Sequence, residues 1–139
     1  MKPCAFCRIV AGDEAAEVVW QNGIALAFLD IRPLFPGHVL LIPRQHIETL
    51  AELPPEQVGP LFQAAQRLEN AVERAVTAEG SFVAVNNRVS QSVPHLHIHV
   101  VPRSKGDGLK GFFWPRKGYE SQQHLHETAE AIRLALNSR

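Results

Sequence analysis

The chain has no excess of either charge: 14 lysines and arginines balance 14 aspartates and glutamates. No global field therefore draws it to nucleic acid or to an anionic membrane, and any anionic ligand has to be held by local groups. Long apolar runs are missing as well. No segment approaches the roughly 18–20 apolar residues of a membrane span, and the opening Met1-Lys2-Pro3-Cys4 lacks the apolar core of a secretory signal. The expected compartment is the cytoplasm, with no nucleic acid and no membrane among the partners. Cysteine is scarce, with two in 139 residues; at this length a single domain buries a core without disulfide staples. Repeats, low-complexity tracts and linkers are absent, and 45% hydrophobic with 20% charged residues is ordinary globular composition. There is no GxxxxGK[ST] loop, which excludes a P-loop mechanism.

What is present reads as one α+β domain over residues 1–139. Cys7–Val10 forms a turn or short helix that Gly12 ends. Val18–Gln21 and Ile24–Leu29 are strands joined at Asn22-Gly23, a hairpin pair. Asp30-Ile31-Arg32-Pro33 leads into a loop with Pro36-Gly37, and His38–Ile42 is an apolar strand ended by Pro43. From about Pro54 to Glu79, Val58, Leu61, Phe62, Ala65, Leu68, Val72 and Val76 recur at spacings of three and four. That is one face of a long helix, with prolines near its start and Gly80 as its C′ residue. Pro60 stands where it delays or kinks the first turn. Ser81–Asn86 and Leu96–Val101 are the remaining strands, and Ser121–Leu136 suggests a terminal helix with His124 and His126 at its surface. Five strands around one main helix predict a five-stranded antiparallel sheet.

The chemistry concentrates at His95-Leu96-His97-Ile98-His99-Val100-Val101, where three of the seven histidines fall within five residues. A period of two is strand spacing, so the three imidazoles share one face while Leu96, Ile98 and Val100 share the other. Packing alone is a poor account of such a row, because a buried imidazole costs free energy unless it is hydrogen-bonded. Two chemical readings compete. In one, all three rings bind a single catalytic metal, whose ligands lie within about 3.5 Å of each other; three rings in a line strain that geometry. No carboxylate follows until Asp107, so a two-His-one-carboxylate site is also poorly supported. In the other, the middle ring attacks phosphorus and its neighbours bind phosphate oxygens or a structural metal. Asn86, Gln91 and Ser92 are neutral donors that suit a phosphate already carrying an ester, which favours the second. Both cysteines lie in Cys4-Ala5-Phe6-Cys7, which reads as half a zinc site or a redox pair.

The HφHφHφφ run, its Gln91-Ser92-Val93 lead-in and the Pro102-Arg103 after it resemble the histidine-triad (HIT) superfamily. Cys4–Gly12, Phe28–Pro33 and Pro36–His46 resemble it too, and these blocks keep their order over residues 4–103, leaving 104–139 as a C-terminal extension. The resemblance implies that His97 is the nucleophile, taking a nucleoside monophosphate onto its ring and yielding it to water. It places His99, Ser92 and Asn86 on the phosphate oxygens, Gln91 beside the leaving group, and Asp30 on the ribose hydroxyls. A carboxylate is acceptor-only and suits a vicinal diol; the alternative for Asp30 is an Asx-turn before Arg32-Pro33. Ile9, Phe28 and Leu40 would wall the base. Family members with the N-terminal CxxC imply a structural Zn2+ held by Cys4, Cys7, His46 and His95, a closed tetrahedral set.

The chain departs from the pattern at Ser90, commonly glycine in the family, and the short segment Asn87–Ser90 sets Asn86 against Asn87 as the phosphate ligand. Leu96 stands where the hexose-1-phosphate uridylyltransferase branch has proline. The resemblance further implies a homodimer, with Phe112-Phe113-Trp114-Pro115-Arg116 assigned to the interface or to the monomer core. The expected function is a nucleotide-binding hydrolase or transferase acting on a nucleoside phosphoramidate or dinucleoside polyphosphate, with a purine nucleotide as substrate. A nucleotide-binding scaffold with little turnover is the competing reading.

Overall fold

The computed structural model describes residues 4–109 and 116–138, whose contacts gather into two compact units, Met1–Asp107 and Gly108–Arg139. The first unit carries strands β1 (Val18–Gln21), β2 (Ala25–Leu29), β3 (Val39–Pro43), β4 (Gly80–Val85) and β5 (Ile98–Arg103), with helices α1 (Ala5–Ala11) and α2 (Pro55–Val76). The strands form one sheet in the order β1-β2-β3-β5-β4, and every neighbouring pair is antiparallel. The expected five-stranded antiparallel sheet with one long helix is therefore the fold.

Asn22 turns the first hairpin with its side chain. Its Oδ1 accepts from the N–H groups of Ile24 and Ala25 at 2.9 and 2.8 Å, while its own N–H donates to the Ala25 carbonyl at 3.0 Å. Strand alternation then sorts the apolar side chains onto two faces. Ala25, Ala27, Val39, Leu41, Leu96, Ile98 and Val100 meet Leu61, Ala64, Ala65, Leu68 and Val72 of α2 in the main core. Each leucine or isoleucine so buried contributes about 1.5–3 kcal/mol. Leu26, Phe28, Leu40 and Ile42 point the other way and pack with Phe6 of α1. Gly12 ends α1 in the left-handed region at φ 82°, its N–H closing on the carbonyls of Arg8 and Ile9.

Three local features differ from the sequence-based expectation. Helix α2 stops at Val76, and the left-handed cap is Thr77 at φ 54°, three residues before Gly80. Gly80 is needed elsewhere: it pairs with Arg103 to open β4, and the preceding Glu79 N–H donates to the Arg103 carbonyl at 3.0 Å. Pro60 lies within α2 without ending it. It sits in the second turn on the exposed side, so only one intrahelical bond is forfeited. The third difference concerns the histidine row. Regular pairing of β5 begins at Ile98, because the facing strand ends at Pro43, which has no N–H to offer; Leu96 N–H bonds to the Ile47 carbonyl at 2.7 Å instead.

The second unit holds α3 (Gln122–Asn137), whose N-cap Ser121 Oγ accepts from the His124 N–H at 3.0 Å. His124 and His126 are exposed on it, as expected. Of the aromatic segment 112–116, residues 112–115 lie outside the described residues. No described helix is long and apolar enough to cross a membrane.

Candidate functional site

The three histidines of the row keep to the face opposite the main core, yet they divide between two clusters. His95 is fully buried, and its Nε2 donates to the Pro43 carbonyl at 2.8 Å. A peptide oxygen only accepts, so the proton is fixed on Nε2 and Nδ1 is left as a lone pair. That Nδ1 lies 3.4 Å from Cys4 Sγ and 3.6 Å from Cys7 Sγ, and Cys7 Sγ lies 3.2 Å from His46 Nδ1. Tetrahedral ligands at zinc-type bond lengths are about 3.5 Å apart. Cys4, Cys7, His46 and His95 can therefore hold a metal ion, and the carbonyl behind His95 is the partner that fixes a ligating imidazole. Cys4 caps α1 and Cys7 lies within it, so this cluster ties the helix to the strand end at Pro43 and to the histidine row. Burial, with the neighbouring Cys4 thiol adding to it, pushes the Cys7 thiol up; a bound cation reverses that balance.

His97 is also buried, and its Nδ1 donates to the backbone carbonyl of His95 at 2.7 Å. The neutral ring therefore carries a bare lone pair on Nε2, the state a nucleophile or base requires. The Phe6 ring stands edge-on to His97 with centroids 5.1 Å apart, and at 5.3 Å from Phe28.

His99 is linked to His38, the residue that precedes β3. Leu34 N–H donates to His38 Nδ1 at 3.1 Å, which places the His38 proton on Nε2; that nitrogen lies 3.0 Å from His99 Nδ1. His38 thus donates to His99, and the His99 proton sits on Nε2 as a donor. Burial, joined by repulsion from His97 and then His38 and partly opposed by Asp30, pulls the His99 imidazole down to about 4. Burial also lowers His38, against the pull of Asp30. Both rings are neutral donors at neutral pH. The signal for His38 in the sequence was a polar residue opening an apolar strand, at 3% exposure once folded.

Asp30, His38 and His99 also bring three ligand atoms within 4.8 Å of one another. A cation on His38 Nε2 would force the ring proton onto Nδ1, against the Leu34 N–H. The hydrogen-bond chain therefore makes this a proton-ordering cluster rather than a metal site. Asp30 Oδ1 accepts from the Arg32 N–H at 2.9 Å, so the Asx-turn is present, while Oδ2 lies 3.8 Å from His38 Nε2.

Asp30, Ser92, His97 and His99 share one cavity of about 360 Å³, walled by apolar residues that include Phe6, Ile9, Phe28 and Leu40. Asn86 and Gln91 do not line it. The Gln91 carboxamide is used at both ends, accepting from Arg88 N–H at 2.8 Å and donating to the Glu48 carbonyl at 2.6 Å. Asn87 Oδ1 accepts from the Leu50 N–H at 2.8 Å, so it ties that loop to the segment before α2. Asp107 is paired with Arg103, at 2.6 Å from its Nε.

The HIT domain model matches residues 11–106. A HIT family protein from Bacillus subtilis superimposes with a TM-score of 0.88 at 33% identity, covering 99% of this chain and 100% of that one. A zinc-bound histidine triad family protein from Mycobacterium smegmatis gives a TM-score of 0.73 at 34% identity over 97% of each chain. The asymmetrical bis(5'-nucleosyl)-tetraphosphatase of Schizosaccharomyces pombe is 32% identical over 94 residues, 66% of this chain and 52% of that protein. The adenylylsulfatase HINT3 of Arabidopsis thaliana is 34% identical over 108 residues, 76% of this chain and 55% of that protein. A domain match over most of the first unit, at a fold that superimposes almost end to end, leaves one conclusion: the chain belongs to the HIT family.

Proposed function

We propose that this HIT protein is a nucleotide hydrolase or transferase that cleaves a substituent from a nucleotide α-phosphate through a nucleotidyl-histidine intermediate at His97. The observation that carries it is the His97 Nδ1–H bond to the His95 carbonyl, which leaves Nε2 free in a cavity that Asp30, Ser92 and His99 share. Two relatives are enzymes acting on nucleotide phosphates or phosphosulfates by their names, the tetraphosphatase and the adenylylsulfatase.

In the first step the Nε2 lone pair forms a P–N bond as the bond from phosphorus to the leaving group breaks, and the leaving group departs with that electron pair, an amine taking up a proton from solvent as it leaves. His99, held as an Nε2–H donor by His38, and Ser92 hold the phosphate oxygens as charge moves through the displacement. Asp30 accepts from the ribose hydroxyls. Water then attacks phosphorus and gives its proton to solvent, a P–O bond replacing the P–Nε2 bond, so that the nucleoside monophosphate is released and the P–N electrons return to His97 Nε2. Asn86 and Gln91, expected beside the phosphate and the leaving group, belong in this reading to the loop that flanks the cavity. The substrate class is a nucleoside phosphoramidate or a dinucleoside polyphosphate with a purine base.

A structural zinc ion on Cys4, Cys7, His46 and His95 fits the donor set, the spacing and the His95 tautomer. When bound it supplies a closed, non-reacting cross-link that holds α1 against the histidine row. A homodimer in the cytoplasm completes the reading. Incubation with adenosine phosphoramidate and with diadenosine polyphosphates, wild type beside His97→Ala, tests the chemistry. AMP from the wild type and none from the variant is the expected result. No AMP from either substrate, or equal rates, would refute it.

A further inference from the structure

Besides the groups assigned to phosphate and ribose, the cavity walls carry two charged side chains, Arg8 and Glu14. They come from α1 and the segment after it, whereas the histidines come from the β5 side. The two are joined, with Arg8 Nη2 2.5 Å from Glu14 Oε2, and each is about half exposed. As a surface ion pair they would be worth about 0–1 kcal/mol. Their placement, however, is set by the backbone. Gly12 folds the chain back at φ 82°, and the N–H groups of Asp13 and Glu14 both donate to the Arg8 carbonyl, at 2.9 and 3.2 Å. The carboxylate is thus held at the mouth of the apolar slot by a turn and by its partner guanidinium.

We infer that Arg8 and Glu14 read the base, selecting guanine over adenine. This rests on the proposal that the cavity takes a nucleotide with its phosphate at His97. With the phosphate and ribose placed by His97, His99 and Asp30, the base enters between Phe6, Ile9, Phe28 and Leu40 and its edge faces the remaining polar wall. A carboxylate is acceptor-only, with more lone pairs than one guanidinium uses. Guanine offers it two adjacent donors, N1–H and the N2 amino group, and offers O6 to the Arg8 donors. Adenine presents a single amino donor beside ring nitrogens whose lone pairs repel a carboxylate. A site built to bond an N–H discriminates against the analogue that lacks it. Partial exposure limits the advantage to about tenfold in place of the much larger ratios of sealed sites.

Binding of GMP and AMP to the metal-loaded protein by calorimetry, beside hydrolysis of guanosine and adenosine phosphoramidates, tests this in wild type and Glu14→Gln. The wild type is expected to bind GMP about tenfold more tightly than AMP, and Glu14→Gln to bring the ratio close to one. A wild-type ratio near one or favouring AMP overturns the inference. So does a guanine preference that Glu14→Gln leaves intact, and so does failure to bind either nucleotide. A guanine preference in binding without hydrolysis of either phosphoramidate removes the catalytic reading while sustaining the base reading.

Discussion

His95 and His97 are coupled through one peptide oxygen. The His95 carbonyl accepts the His97 Nδ1 proton at 2.7 Å, while the His95 ring turns its Nδ1 toward Cys4 and Cys7 at 3.4 and 3.6 Å. The residue that anchors the Cys/His cluster is thus the one that orders the proton on the candidate nucleophile.

Removal of the metal is expected to lower the melting temperature by on the order of 10 °C, since the cross-link joins α1 to distant loops while most of the core lies elsewhere. Metal analysis with differential scanning calorimetry, before and after chelation at neutral pH, makes the measurement. Zinc should survive His97→Ala and be lost on Cys4→Ala. An apo protein that melts with the purified one counts against the site.

Replacing His38 by phenylalanine keeps the bulk but removes the donor to His99 and the acceptor for the Leu34 N–H. A fall in kcat of about 10–100-fold is expected, larger than any change in KM, because His99 loses its fixed tautomer. Stability should also drop by about 1 kcal/mol for the lost, part-buried bond from the Leu34 N–H. Nitrogen-15 shifts of His99 report the tautomer directly; a wild-type kcat with a mixed tautomer would separate His38 from catalysis.

Acid should destabilise the fold well above the carboxylate range. His99 titrates near 4 in the native protein and near 6.5 when unfolded. Its contribution is fully present above pH 6.5, and it is lost as the pH falls toward 4, where the unfolded chain binds a proton the native state refuses. His38 acts in the same direction. Thermal melts from pH 7 to 4.5 should decline, and His99→Gln should flatten the slope. Equal slopes would contradict the assignment.

Gly37→Ala is expected to cost about 1–3 kcal/mol. Gly37 sits at φ 103°, and an added Cβ meets Val76 Cγ1 at 3.1 Å and Pro102 Cγ at 3.3 Å. Chemical denaturation measures the loss. Full stability would mean that the loop before β3 shifts freely.

The strand and helix pattern was legible because period-two and period-3.6 apolar spacing record burial directly, and Asn22-Gly23 marks its own turn. Boundaries failed where a partner strand decided them: Gly80 was claimed by Arg103, so Thr77 took the left-handed cap. The histidine row, the CxxC and Asp30 were visible as residue types. Their hydrogen-bond partners were not, because Pro43, His95 and Arg32 enter through backbone atoms, which every residue possesses and no side-chain pattern reveals. Sequence by itself determined that this chain folds as an antiparallel sheet beneath one long helix, with three imidazoles on the face away from it. Only tertiary structure decided that His95 faces two cysteines, that His97 keeps a free Nε2, and that His38 orders His99. Those assignments depend on which carbonyl, amide or second ring lies within hydrogen-bond distance of a ring nitrogen, and chain segments distant in sequence supply several of them.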